Sequence, residues 1–297
     1  MMLPLKSLRS LLLRILFPLF TFRSSRLFML PQILSRWPGR YVIVISTSKS
    51  KLRETLKRLG SIHLPERITT LVYTVQSSVF PINLLRNLGI RNIQTSHFMV
   101  LDMDLMLSRN MYAELKRLPD WLKASEKSAI LVPLFFLNRT RILPYCVELE
   151  DCLPMWKRHG AVTCSNLPLV PHNKSDLVQC LNAGICTMRT RYSRTHVRIC
   201  ASHNPSYMWC LLGLEFREGP SFHKWNVRSL TFRSRRVHSP FKCRYVILKY
   251  TPSTPLFNKL FVNYGYNKIQ LVEHLRAADY RFFILNHAFM IDLAHMG

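Results

Sequence analysis

The chain has 297 residues, 48% of them hydrophobic, with 42 Lys and Arg against 16 Asp and Glu. That length and apolar share suit a folded chain with a large core and exclude a disordered or low-complexity polymer. The formal charge of +26 at pH 7 draws the protein to polyanions, a class that spans nucleic acid, anionic membrane and phosphate-bearing small molecules.

At the N-terminus Lys6 and Arg9 precede an apolar run from Leu11 to Phe22, which Arg14 and Pro18 interrupt. The unbroken part is shorter than the about 20 apolar residues that a spanning helix needs. Residues 1–22 therefore read either as a remnant anchor, with membrane association, or as a buried first strand over 15–22. The strand is favoured. The β-branched run Tyr41-Val-Ile-Val-Ile-Ser predicts a strand buried on both faces. A helix is expected over 50–59, with Leu52, Leu56 and Leu59 on its inner face, and a strand over 69–73. Pro81 opens a helix that closes near Gly89. A strand at 97–101, a helix at 110–118 and a single strand at 128–136 follow.

From 146 to 240 the pattern degrades, and Arg is dense between Thr187 and Arg244. That stretch reads as a poorly folded insertion, as sequence outside the natural reading frame, or as a polyanion-binding arm. Order returns with a strand at 245–248, the segment 257–275 and a last strand around 282–285 and 289–291. Strands alternating with helices predict an α/β fold with a mainly parallel central sheet.

Eight cysteines are scattered without a CxxC pair, which argues against a zinc site. Their even number allows disulfides in an oxidising compartment without setting the connectivity. Two sequons, Asn138-Arg-Thr140 and Asn173-Lys-Ser175, fit a secretory setting.

Acids are scarce, yet Asp102 and Asp104 stand one residue apart at the end of an apolar run, Phe98-Met-Val-Leu-Asp-Met-Asp. On a strand, residues i and i+2 share a face, so both carboxylates would converge just past the strand end. Two converging carboxylates need a positive partner, and a divalent metal is the simplest. A solvated turn is the plain alternative. In parallel α/β sheets ligands bind beyond the carboxyl ends of strands, where this pair falls.

Further blocks carry a resemblance. Ser35-Arg-Trp-Pro-Gly, Pro81-Ile-Asn-Leu-Leu-Arg-Asn-Leu-Gly-Ile, Thr95-Ser-His-Phe-Met-Val-Leu-Asp-Met-Asp and Ser108-Arg-Asn-Met-Tyr are similar to segments of glycosyltransferase family 49. So are Phe261-Val-Asn-Tyr-Gly-Tyr-Asn-Lys-Ile and Asn286-His-Ala-Phe-Met-Ile-Asp-Leu-Ala-His. That family includes the β-1,4-glucuronyltransferase and the second domain of the LARGE enzymes. The resemblance covers residues 20–140 and 245–297.

It implies a GT-A-type, Rossmann-like fold that moves a sugar, glucuronic acid among the candidates, from a UDP-sugar to a glycan or glycoprotein acceptor. It implies Mn²⁺ on Asp102 and Asp104, completed by Asp292 or His295. Asn83, Arg86 and Asn87 would face the nucleotide end, a helix-surface Arg being the alternative for Arg86. Gly265, Asn267 and Lys268 would lie beside donor and acceptor. The chain then divides into a nucleotide-sugar half at 23–145, a diverged basic region at 146–240 and an acceptor and metal half at 241–297. A Golgi membrane or secretory location follows.

The chain departs from the family pattern where acids are expected. Asn258 and Lys259 replace an acidic pair, and Cys243-Arg244-Tyr245-Val246 replaces a Glu-Pro-Tyr-Val block. Residues 178–240 match poorly, with His203 to Trp209 and His223 to Trp225 as possible traces of a His and Trp segment. Glu273 and Asp279 are the candidates left for the general base. An inactive glycosyltransferase-like scaffold is thus the second reading. A basic nucleic-acid-binding protein ranks last, because no RRM, KH or zinc-finger signature accompanies the charge.

Overall fold

The computed structural model describes residues 17–76, 79–138, 170–187, 228–230, 245–262, 267–285 and 287–293. Gly265, His295 and the segments at His203 and His223 lie outside the described residues.

Strand β1, Phe17–Arg23, leads through a 3-10 turn at Ser24–Met29 into α1, Leu30–Ser35. Strand β2 is Tyr41–Ser48, and a second 3-10 turn, Lys49–Lys51, opens α2, Leu52–Gly60. Then come β3, Ile68–Val75, α3, Ile82–Arg91, β4, His97–Leu101, and β5, Leu105–Leu107. Helices α4, Met111–Lys116, and α5, Asp120–Ala124, precede β6, Ser128–Leu131, and β7, Leu134–Leu137. Next are α6, Lys174–Asn182, β8, Cys186–Thr187, β9, Arg228–Leu230, and β10, Val246–Lys249. The chain closes with α7, Asn267–Ala277, β11, Arg281–Ile284, and β12, Met290–Asp292.

Two compact units share these elements. The first comprises Met1–Met103, Leu115–Ala129 and Ile247–Tyr280; the second comprises Asp104–Glu114, Ile130–Val246 and Arg281–Gly297.

In the first unit, strands lie in the order β3-β2-β1-β4-β10. The first three pairings are parallel, with Tyr41 opposite Ile68, Leu19 opposite Val42 and Leu19 opposite Val100. Only β10 runs antiparallel, Ile247 opposite Met99. The sheet is therefore mainly parallel and the fold α/β, as the alternation of elements predicts. Tyr41 to Ile45 are wholly buried, which is what a β-branched run between two covering layers requires. Helix α3 packs on β1 so closely that a Cβ at Gly89 would stand 2.1 Å from Leu19 Cδ1. Arg67 secures the approach to β2, with Nη1 donating to the carbonyls of Trp37 and Gly39 at 2.8 Å and Nη2 to Leu34 at 3.2 Å.

In the second unit, a sheet runs β5-β12-β7-β8. Here β12 is parallel to β7 and antiparallel to β5, and β11 pairs antiparallel with β9. A disulfide, Cys180–Cys186, ties α6 to β8. Asn173 caps α6, its Oδ1 accepting from the Asp176 amide at 3.0 Å.

Four expectations change. The strand expected over 128–136 is two, because Val132 and Pro133 break it and proline has no amide for a ladder. The last strand is also two, β11 and β12, which have different partners. Leu56 is 49% exposed, and α2 buries Thr55 instead, whose hydroxyl lies 2.8 Å from that of Thr47. Within 146–240, α6 and β8 are ordered elements that the fading periodicity hides. Among the described residues no helix is long and apolar enough to cross a membrane.

Candidate functional site

Strand β4 ends at Leu101 and β5 begins at Leu105, so Asp102 and Asp104 stand in the connecting turn. The alternation that would place both on one face of a strand does not apply there. Asp102 belongs to the first unit and Asp104 to the second.

Around Asp102 the first unit assembles two cations. Arg86 Nη2 lies 3.3 Å from Asp102 Oδ1, and the Lys268 ammonium contacts Asp102 Oδ2. The Arg86 side chain is 1% exposed and that of Lys268 9%, while Asp102 is 30% exposed. Arg86 is thus no helix-surface residue. Its Nη1 donates to Asn83 Oδ1 at 3.2 Å, and its guanidinium lies 5.0 Å from the centre of the Phe257 ring. Its Nε is buried with no hydrogen-bond partner among the described residues. One partly exposed carboxylate thus meets two largely buried cations, each of which it helps to offset.

Three polar residues, Asn83, Arg86 and Asn87, sit at helical spacing on one face of α3. Asn87 clamps the Phe257 backbone: its Nδ2 donates to the Phe257 carbonyl at 2.8 Å, and the Phe257 amide donates to its Oδ1 at 3.0 Å. Asn83 Nδ2 donates to the Asn258 carbonyl at 2.8 Å. From α7, Gln270 Oε1 accepts from the Asn258 amide at 3.0 Å. The strap at 257–258 thus joins α3 to α7, setting Arg86 and Lys268 on opposite oxygens of one carboxylate. Asn83 and Asn87 commit their amides to this strap. Asn258 contributes through its backbone carbonyl and amide, so the anchor does not depend on an acidic side chain there. Asn267 is buried at the start of α7, beside Lys268.

The remaining candidates lie elsewhere. Glu273 is exposed and pairs with Arg276 at 2.6 Å. Asp279 follows the end of α7 with φ 58, a left-handed conformation that Asp tolerates, and it is exposed. Among the described residues neither makes a hydrogen bond or ion pair with Arg86, Asp102 or Lys268. In the second unit the Leu293 amide donates to the Asp104 carbonyl at 2.9 Å, and Asp292 pairs across from Leu105. The backbone therefore holds Asp292 beside the residue that follows Asp104.

As donors, carboxylate oxygens suit a divalent cation. Asp102 fits in kind and in exposure, although Lys268 and Arg86 occupy its oxygens. Among the described residues no three His, Cys, Asp or Glu side chains form a metal-binding group. Sequence reasoning missed Phe257 and Gln270 as parts of the site. Phe257 acts largely through backbone atoms, which leave no side-chain signature, and Gln270 reads as an ordinary helical residue.

The sequence pattern of the family described as glycosyl-transferase for dystroglycan matches residues 64–297. The chain belongs to that family, glycosyltransferase family 49. It is 25% identical over 275 residues to the xylosyl- and glucuronyltransferase LARGE1 of Homo sapiens, and 23% identical over 276 residues to LARGE2s of Danio rerio. These alignments cover 91% of this chain and 30% of each relative, so the chain spans about a third of their length. Among solved structures, S. aureus TarS in complex with UDP-GlcNAc matches 41% of this chain and 35% of its own, at 10% identity and a TM-score of 0.32. A 4-diphosphocytidyl-2C-methyl-D-erythritol synthase from Anaerococcus prevotii matches 44% of this chain and 59% of its own, at 13% identity and a TM-score of 0.29. Scores this low assign neither fold nor function.

Proposed function

We propose that this protein transfers a sugar from a UDP-sugar donor to a glycan acceptor, with Arg86 and Lys268 as the groups that receive the donor's diphosphate. The observation that carries the reading is the pair of buried cations on one partly exposed carboxylate, in a chain of this family. In the transfer, an acceptor hydroxyl oxygen bonds to the anomeric carbon, and the bond from that carbon to the diphosphate oxygen breaks. The hydroxyl proton passes to a base, and the electron pair leaves on UDP. Charge therefore develops on the diphosphate, and fixed cations in a partly dry site stabilise it. Arg86 is suited to this because its guanidinium is held by Asn83 and the Phe257 ring. Lys268 adds a compact charge at the N-terminal end of α7, where backbone amides also favour an anion.

Mn²⁺ is the metal we propose, with Asp102 and Asp104 as its carboxylates and Asp292 or His295 as a further ligand. When bound, it supplies Lewis-acid stabilisation of the leaving diphosphate. The GT-A-type fold and a secretory location belong to the same reading, and the Cys180–Cys186 disulfide supports an oxidising compartment.

Calorimetry with UDP and Mn²⁺ tests the site. Wild type should bind, and Asp102→Ala should abolish metal-dependent binding. Metal-independent binding of equal strength in both proteins, or no binding, would sink the proposal. The departures at Asn258 and Lys259 favour a second reading, an inactive scaffold that binds UDP without turnover. Release of free sugar from a UDP-sugar, without an acceptor, would count against it.

A further inference from the structure

We infer that Asn173 carries an N-linked glycan in the folded protein, and that the second sequon, at Asn138, stays bare in it. The inference rests on the secretory location proposed above. In the step, Asn173 Nδ2 bonds to the anomeric carbon of a lipid-diphosphate-linked oligosaccharide. The bond from that carbon to the diphosphate oxygen breaks, its electron pair leaves on the lipid diphosphate, and one amide proton passes to a base of the transferring enzyme.

Both tripeptides, Asn138-Arg-Thr140 and Asn173-Lys-Ser175, satisfy the acceptor pattern, and neither has proline in the middle. The surroundings of the two amides decide between them. Asn173 and Ser175 are exposed at the start of α6. Asn173 Oδ1 accepts from the Asp176 amide at 3.0 Å, and the Asp176 carboxylate accepts from the His172 amide at 3.0 Å. This cap uses only the oxygen of the Asn173 side chain. Among the described residues nothing accepts a hydrogen bond from Asn173 Nδ2. A sugar replaces a hydrogen on that nitrogen and keeps the carbonyl oxygen, so the modified chain retains its cap. Asn138 is the opposite case. It is half-buried just after β7, its backbone amide donates to the Ile185 carbonyl at 2.7 Å, and its Nδ2 donates to the Gly184 carbonyl at 2.9 Å. Gly184 and Ile185 lie in the loop that the Cys180–Cys186 disulfide closes. The nitrogen that would carry the sugar is thus held against a covalently fixed loop, where a bulky, solvated group opposes the packing. The sugar is added before folding is complete, so the fold selects among modified chains. A sugar on Asn173 leaves the pairing of β7 with β8 untouched, whereas one on Asn138 obstructs it at Leu137 and Cys186.

The test expresses the full chain in cultured animal cells and isolates the protease-resistant, disulfide-bonded fraction. Peptide N-glycosidase F in heavy-oxygen water then converts each glycan-bearing Asn to a labelled Asp, which mass spectrometry locates. Label at Asn173 and none at Asn138 is the expected result. Ser175→Ala removes the sequon and keeps the capping residue, so the whole gel shift on deglycosylation should be lost. Thr140→Ala should leave that shift unchanged. The label on wild type is read without any variant, so the result does not hang on how either one folds. A protease-protection assay on sealed microsomes reports the location separately. Chains inside the lumen with Asn173 unlabelled, or with label at Asn138 in the folded fraction, overturn the inference and leave the secretory reading intact. Chains wholly outside the lumen overturn the secretory reading itself, and the inference with it.

Discussion

Arg86 combines a buried guanidinium with an aromatic ring and a carboxylate, and each contact uses a different property of the group. The planar face meets Phe257, one nitrogen meets Asn83 and another meets Asp102. A lysine there would keep the charge and lose the fork and the face. Arg86→Lys is therefore expected to weaken UDP binding about tenfold and to lower stability by about 2 kcal/mol, read by calorimetry and urea denaturation. His97 makes a second local prediction. Burial, reinforced by the Lys249 charge, lowers its pKa from 6.5 to about 4. The unfolded chain takes up this proton near pH 6.5, and the folded chain does so only near pH 4. Stability is thus full above pH 6.5 and falls as pH drops through that window, by about 3 kcal/mol at most. Urea midpoints recorded between pH 7 and pH 4.5 should fall more steeply for wild type than for His97→Gln.

Helix α3 carries two roles on two faces. One face meets β1, where Gly89 allows the approach of Leu19; the other meets the strap at 257–258 through Asn83 and Asn87. Gly89→Ala places a Cβ 2.1 Å from a wholly buried Leu19, so it should destabilise by about 1–3 kcal/mol through overpacking. A melting temperature equal to that of wild type would contradict this packing. Asn87→Ala leaves the Phe257 amide and carbonyl without the partners they have in the native fold, at a cost of about 3 kcal/mol. Because the strap joins α3 to α7, the same change should also weaken UDP binding, whereas Gly89→Ala should affect stability more than affinity. Comparing the two variants by calorimetry separates the faces of α3.

The whole chain carries a formal charge of +26, and salt separates its two electrostatic behaviours. Exposed charges are screened beyond about 8 Å at physiological ionic strength, whereas buried ones are screened less. Retention on heparin should therefore collapse with added salt, while UDP affinity, resting on Arg86 at 1% exposure, should fall less. Equal salt slopes for the two ligands would place nucleotide binding on the diffuse surface charge instead.

The strands β2 and β4 and the helix α3 were legible in the sequence because a continuous apolar run and a proline-started helix report their own burial and period. The carboxylate at Asp102 was legible because an acid beside a buried strand needs a reason. The break at Pro133, the exposed face of α2 and the two partners of the final strands were not, since each depends on which neighbour arrives. The Asn87 clamp joins residues 170 apart through the backbone of Phe257, and backbone hydrogen bonds leave no mark in the identities of the residues they join. By itself the sequence determined an α/β chain of glycosyltransferase family 49 with an acid pair after a strand. Only the tertiary structure decided that Arg86 is buried and that Lys268 answers Asp102 from a helix 166 residues further on, because a charge takes the partner that folding brings to it.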